Sequence, residues 1–191
     1  LSLYSKQNAY TIFPMIFMLE VLCFKFTKRR VIAITLLTII SVAGIFLYLY
    51  ANPHLIAKID TLTKSTSAIS REQYLFTQFG VLCFYLFQLI YPNKLALDYD
   101  WAIKTNFSLD VILSAFFIIS LILIAIWLAR KEQTRLFSIG IFFYFIAMSI
   151  ESSIIPIQDP VFLHRTYLPN TGIIFAITLS VFVIIKNLLH R

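Results

Sequence analysis

Two stretches of this chain, Val31–Ala51 and Val111–Ala129, run for 21 and 19 residues without one charged side chain. A helix crossing the hydrocarbon of a bilayer needs about 20 mostly apolar residues. Three further runs approach that length: Ala9–Phe26, Leu136–Ile150 and Gly172–Ile185, the last two short enough to need their flanks. Charged residues are only 13% of the 191, about half of the roughly 25% usual in a soluble domain. Apolar surface on this scale would drive a soluble protein to aggregate. The net charge of +7 does not point to nucleic acid, because the cations flank apolar runs instead of forming one basic face. Flanking cations anchor helices in a membrane.

A sixth run, Tyr74–Tyr91, is patterned differently. At 100° per residue, Tyr74, Thr77, Gln78, Tyr85 and Gln88 share one stripe about 100° wide, which makes the helix amphipathic. Such a helix either lies in the interface or crosses with its stripe against a cavity. Clusters at Lys28-Arg29-Arg30, Arg130-Lys131 with Arg135, and Lys186 with Arg191 fall on one side if Tyr74–Tyr91 does not cross. The positive-inside rule makes that side cytoplasmic. The expected fold is therefore an all-α polytopic transmembrane helical bundle forming one domain, 1–191. It has about five spanning helices, one interfacial or re-entrant amphipathic helix, and an extracytoplasmic N-terminus. Loops 52–110 and 151–171 then share the outer face and hold seven of the nine acidic residues.

Glu151–Pro169 gathers Glu151, two serines, Asp159, His164, Arg165 and Tyr167, with Pro156, Pro160 and Pro169 expected to keep it from continuing either helix. Arg165 could grip a phosphate bidentately and His164 could donate a hydrogen bond or carry a proton. The alternative is an internal Glu151–Arg165 ion pair that pins the loop. In Tyr91–Trp101, Asp98 and Asp100 flank Tyr99, with Trp101 at the interface. These acids could bind a divalent cation or act as a general base, or simply form a solvated turn. Lys6 is an interfacial anchor or a phosphate ligand. Glu20, an ionisable group within the first apolar run, needs a partner such as Lys25 or a functional role. Cys23 and Cys83 read as small buried hydrophobes. Asn106-Phe107-Ser108 fits a glycosylation sequon, a pattern often met by chance. No Cys/His metal spacing, phosphate-cradling glycine loop or nucleophile elbow occurs, and no cofactor is implied.

The strings SREQYLFTQFGVLCFYLFQLIYPNKLALDYDW and ESSIIPIQDPVFLHRTYLP, with SKQNAYTIFP near the start, resemble bacterial multipass membrane proteins that carry tetratricopeptide repeats. Those are similar to the transmembrane-and-TPR O-mannosyltransferases, and to the wider GT-C class of glycosyltransferases. The resemblance implies transfer of a sugar from a polyprenyl-phosphate donor to an acceptor, a protein hydroxyl among them, at the outer face of a bacterial inner membrane. It makes Lys6, His164 and Arg165 candidates for the donor phosphate. Glu151, Asp98, Asp100 and Asp159 become candidates for the acceptor or sugar site. Gln7 stands where the family has Glu, and Leu163 where an acid often precedes His-Arg. The family's catalytic acid and its repeat region would lie outside this sequence, which reads as the C-terminal part of a transmembrane domain, inactive alone. A non-catalytic membrane scaffold or binding module, recognising lipid-linked glycan or a partner protein, is the alternative. A transporter lined by Glu20 and the polar stripe ranks below both.

Overall fold

A computed structural model describes residues 11–23, 69–93, 95–96, 99–132, 134–152, 156–157 and 159–189, with single positions at 32, 36, 40, 43, 47 and 50–52. Among the described residues every regular element is helical. They are α1 (Ile12–Cys23), α2 (Arg71–Ile90), α3 (Leu109–Ala129), α4 (Arg135–Met148) and α5 (Tyr167–Leu189), the last entered through a 3-10 turn at Leu163–Thr166.

Three described helices are long and apolar enough to cross a membrane: Arg71–Ile90, Leu109–Ala129 and the stretch Leu163–Val183. That is fewer than the five expected. At 1.5 Å per residue, the 14 residues of α4 reach about 21 Å, short of the roughly 30 Å hydrocarbon core, and described α1 is shorter still at 12 residues. Most of Val31–Ala51 lies outside the described residues. Tyr74–Tyr91, expected as an interfacial or re-entrant helix, falls in one unbroken 20-residue helix that by length and composition is one of the three.

The local reasons for α2 are clear. Ser70 accepts the Gln73 amide N–H on its hydroxyl at 3.2 Å, and the Gln73 side chain accepts the Ser70 N–H at 3.1 Å. This reciprocal capping box satisfies two donors left free at the helix start. Pro92, one residue beyond the Tyr91 cap, cannot extend the ladder. Between α3 and α4 the turn is short, which makes them neighbours. The Thr134 hydroxyl donates to the Leu128 carbonyl at 2.7 Å, so the second helix caps the end of the first.

The α4–α5 contact is close because of two glycines. A Cβ on Gly140 would collide with the Gly172 carbonyl, and one on Gly172 would lie 2.6 Å from the Gly140 carbonyl. Small residues let helix backbones approach in this way. Pro169, expected to hold off the final helix, sits inside its first turn. A proline there loses no hydrogen bond, because those amides have no intrahelical partner. The polar loop after α4 therefore ends earlier than expected.

The core forms where α2, α3 and α4 meet. Val81, Leu82 and Tyr85 of α2 pack with Ile118 of α3, Tyr144 and Met148 of α4, and Val161 of the loop after α4. Val161 thus belongs to the core although it lies outside the helices.

Candidate functional site

The polar stripe read from the sequence exists, and all five of its members are buried. What covers them is the chain's own backbone. The Tyr74 hydroxyl donates to the Glu151 carbonyl at 2.7 Å. Gln78 donates its amide to the Pro160 carbonyl at 3.1 Å. The Tyr85 hydroxyl accepts the Phe162 N–H at 2.8 Å and donates to the Phe162 carbonyl at 3.2 Å. One face of α2 thus supplies partners to the 151–162 loop, whose backbone groups need them once buried.

The remaining two stripe residues hold the segment after α2. Gln88 donates to the Asn93 carbonyl at 2.7 Å and accepts its N–H at 2.9 Å. The Thr77 hydroxyl accepts the Lys104 N–H at 2.9 Å. Aromatic packing fixes the residues between: Phe84 of α2 meets both Tyr99 and Trp101 at 5.1 Å between ring centroids.

Fastening both loops to one helix brings them together. Ile69, Tyr99, Asp100, Trp101, Ile103, Asp159 and Pro160 line an open cleft of about 530 Å³. Two expected site acids, Asp100 and Asp159, are therefore joined in one place although 59 positions apart in the sequence. Asp100 is exposed and Asp159 half-buried, and no described residue forms an ion pair with either.

Arg165 is placed otherwise. Its Nε lies 3.6 Å from a Glu151 carboxylate oxygen, with both side chains only 10% exposed. One terminal nitrogen donates to the Asp159 carbonyl at 3.1 Å, and the guanidinium sits 4.7 Å from the Phe162 ring centroid. This is the internal pair that pins the loop. Glu151 is buried with it, away from the cleft lining. His164 is exposed on the 3-10 turn, its ring 5.1 Å from Phe162. Lys6 and Asp98 lie outside the described residues.

Some contributions were not evident in the sequence. Tyr99 and Trp101 form walls of the cleft, where Trp101 alone suggested an interfacial anchor; their signal was the Tyr-Asp-Trp string itself. Cys23, expected to be buried, is exposed, whereas Cys83 is half-buried with its thiol 3.7 Å from the Ser114 carbonyl. Among the described residues no group of three metal-ligating side chains assembles.

Among the described residues the protein is all-helical, with three membrane-length apolar helices and a polar cleft between the two loops tied to α2. Compared with protein-family models, with curated proteins and with solved structures, the chain matches none of them. The glycosyltransferase resemblance therefore rests on the sequence strings.

Proposed function

We propose that this chain forms part of an integral-membrane glycosyltransferase that moves a sugar from a polyprenyl-phosphate donor to an acceptor hydroxyl, a protein hydroxyl among the acceptors, at the extracytoplasmic face of a bacterial inner membrane. The observation that carries the reading is the cleft in which Asp100 and Asp159 stand beside Tyr99 and Trp101. Sugars are recognised by carboxylates that accept hydroxyl protons and by aromatic rings that pack on their C–H faces. In the transfer, the bond between the sugar's anomeric carbon and the phosphate oxygen breaks, and polyprenyl phosphate leaves with the electron pair. The acceptor oxygen bonds to that carbon, and its proton passes to a carboxylate acting as base. His164, exposed on the 3-10 turn, is taken as a hydrogen-bond donor to the phosphate, whereas Arg165 holds the loop.

A second reading is favoured by one specific observation. Arg165 is bound to Glu151, so the cleft has no described cation on its lining to stabilise a leaving phosphate. A non-catalytic module that binds lipid-linked glycan needs none. The two readings separate when the whole membrane protein of which this chain is proposed to form part, in nanodiscs, is given polyprenyl-phosphate hexoses and a hydroxyl acceptor. The transferase reading expects release of polyprenyl phosphate, at least about tenfold slower in Asp100→Asn or Asp159→Asn. Donor binding without release in the unaltered protein would instead support the binding module.

A further inference from the structure

The turn that joins α3 to α4 folds three cations onto one spot. Arg130 caps α3, Lys131 follows it, and Arg135 opens α4. Arg135 reaches back to α3, where its Nε donates to the Ala129 carbonyl at 3.4 Å. The Lys131 amine lies 5.2 Å from the centroid of the Trp127 ring, which holds it beside the last turn of α3. Arg130 and Lys131 are exposed. Among the described residues no acid forms an ion pair with any of the three, Glu132 of the same turn included. Three cations against that one acid leave an excess of two positive charges. The end of a helix carries only about half a charge, and the end of α3 meets the start of α4, whose half charge is of opposite sign. The excess therefore stands.

An apolar groove begins one turn along α4 from Arg135. Ile139, Gly140 and Phe143 of α4 and Thr171, Gly172 and Phe175 of α5 line an open volume of about 300 Å³. Arg135, Ile139 and Phe143 stand at i, i+4 and i+8, so they descend one face of α4 in steps of about 6 Å. Backbone forms the floor where Gly140 and Gly172 bring the two helices together. Thr171 spends its hydroxyl on the Leu168 carbonyl at 2.6 Å, so the lining side chains offer no unpaired polar group. A soluble anion would meet the cations and leave the groove empty. A neutral chain would fill the groove and leave the cations unmatched. An anion carried on an apolar chain satisfies both.

We propose that the α3–α4 turn and the groove beside it form a binding site for an anionic phospholipid of the phosphatidylglycerol type. Its phosphate sits among Arg130, Lys131 and Arg135, and one acyl chain lies in the groove. Guanidinium and phosphate form charge-assisted hydrogen bonds, and basic pockets between membrane helices hold anionic head groups in this way. A zwitterionic lipid is disfavoured, because its own ammonium is repelled by the same cations. The site shares no residue with the cleft and does not depend on the glycosyltransferase reading.

The test is native mass spectrometry of the full-length protein, released from micelles that hold phosphatidylglycerol and phosphatidylcholine in equal amounts. The protein should retain phosphatidylglycerol about tenfold more than phosphatidylcholine. Arg130→Gln combined with Lys131→Gln should cut that preference by about fivefold or more, the effect of at least one cation at an anionic lipid surface. Both side chains are exposed, so the double variant keeps its fold. Ile139→Trp fills the groove without touching a cation and should lower phosphatidylglycerol retention several-fold. Glu132→Gln removes the acid of the turn and should raise retention, a gain that misfolding cannot produce. Equal retention of the two lipids, an unchanged preference in the double variant, unchanged retention in Ile139→Trp, or no gain in Glu132→Gln would each overturn the assignment. Stronger retention of polyprenyl phosphate than of phosphatidylglycerol would give the groove to a carrier lipid and overturn it as well.

Discussion

α2 and α3 are both long and apolar enough to cross a membrane, yet they bury different things. α3 buries Val111, Ile118 and Ala125, one residue every two turns, and exposes Phe116, Leu123, Ile124 and Trp127. Its burial is a narrow apolar seam, and the rest of its surface suits hydrocarbon. α2 buries Tyr74, Thr77, Gln78, Tyr85 and Gln88 together with Val81 and Leu82. Its polar groups bond to two loops that would otherwise hold unpaired backbone groups in the interior. Hydropathy alone groups the two helices together. The difference is that α3 meets its surroundings, whereas α2 organises the chain's irregular segments and so builds the cleft.

If that contrast is right, substitutions behind the cleft should be costly and those on the outer face of α3 should not. The largest effect is expected for Glu151→Ala, which leaves the Arg165 guanidinium buried and unpaired. Breaking a buried pair from one side costs about 3 kcal/mol, read as a lower midpoint in detergent-induced unfolding. Glu151→Gln, which keeps an acceptor, should lose clearly less. Equal midpoints for Glu151→Ala and the unaltered protein would remove the pin from the account.

Next come the stripe residues. Tyr74→Phe removes the donor to the buried Glu151 carbonyl and should cost about 1 kcal/mol. Gln78→Leu should cost less. It orphans the Pro160 carbonyl but also removes a Gln78 side-chain oxygen that has no hydrogen-bond partner among the described residues, and the two changes oppose one another. A larger loss for Gln78→Leu than for Tyr74→Phe would mean that the oxygen is satisfied in solution. The smallest effect belongs to α3. Phe116 is 72% exposed, so Phe116→Leu should change stability by less than about 0.5 kcal/mol. A loss as large as that of Tyr74→Phe would show that α3 packs against something on that face and would erase the contrast.

Much of α2 is legible in the sequence, because its polar stripe follows helical periodicity. What the stripe meets is not, since Tyr74 and Tyr85 each reach partners 77 positions away, and periodicity carries no information on such pairings. The Glu151–Arg165 pair was one of two readings of a loop rich in charges. Sequence proximity could suggest it, and only the 3-10 turn at Leu163–Thr166 sets the geometry. The cleft was half visible. Asp100 and Asp159 stand out as acids in two polar loops, but their meeting depends on both loops being tied to one helix. The helix count was less legible, because mean hydropathy over Leu136–Ile150 does not reveal that α4 stops at 14 residues. Pro169 misled for a local reason: a proline breaks a helix in its middle and fits in its first turn.

The central claim is that the face of α2 holds the 151–162 loop, and its most direct test is hydrogen exchange at the Phe162 amide, followed by NMR in nanodiscs. That N–H is bonded to the Tyr85 hydroxyl at 2.8 Å. The amide should be protected in the unaltered protein and exchange about five- to tenfold faster in Tyr85→Phe. An amide that exchanges freely in the unaltered protein, or one whose protection is indifferent to Tyr85→Phe, would contradict it.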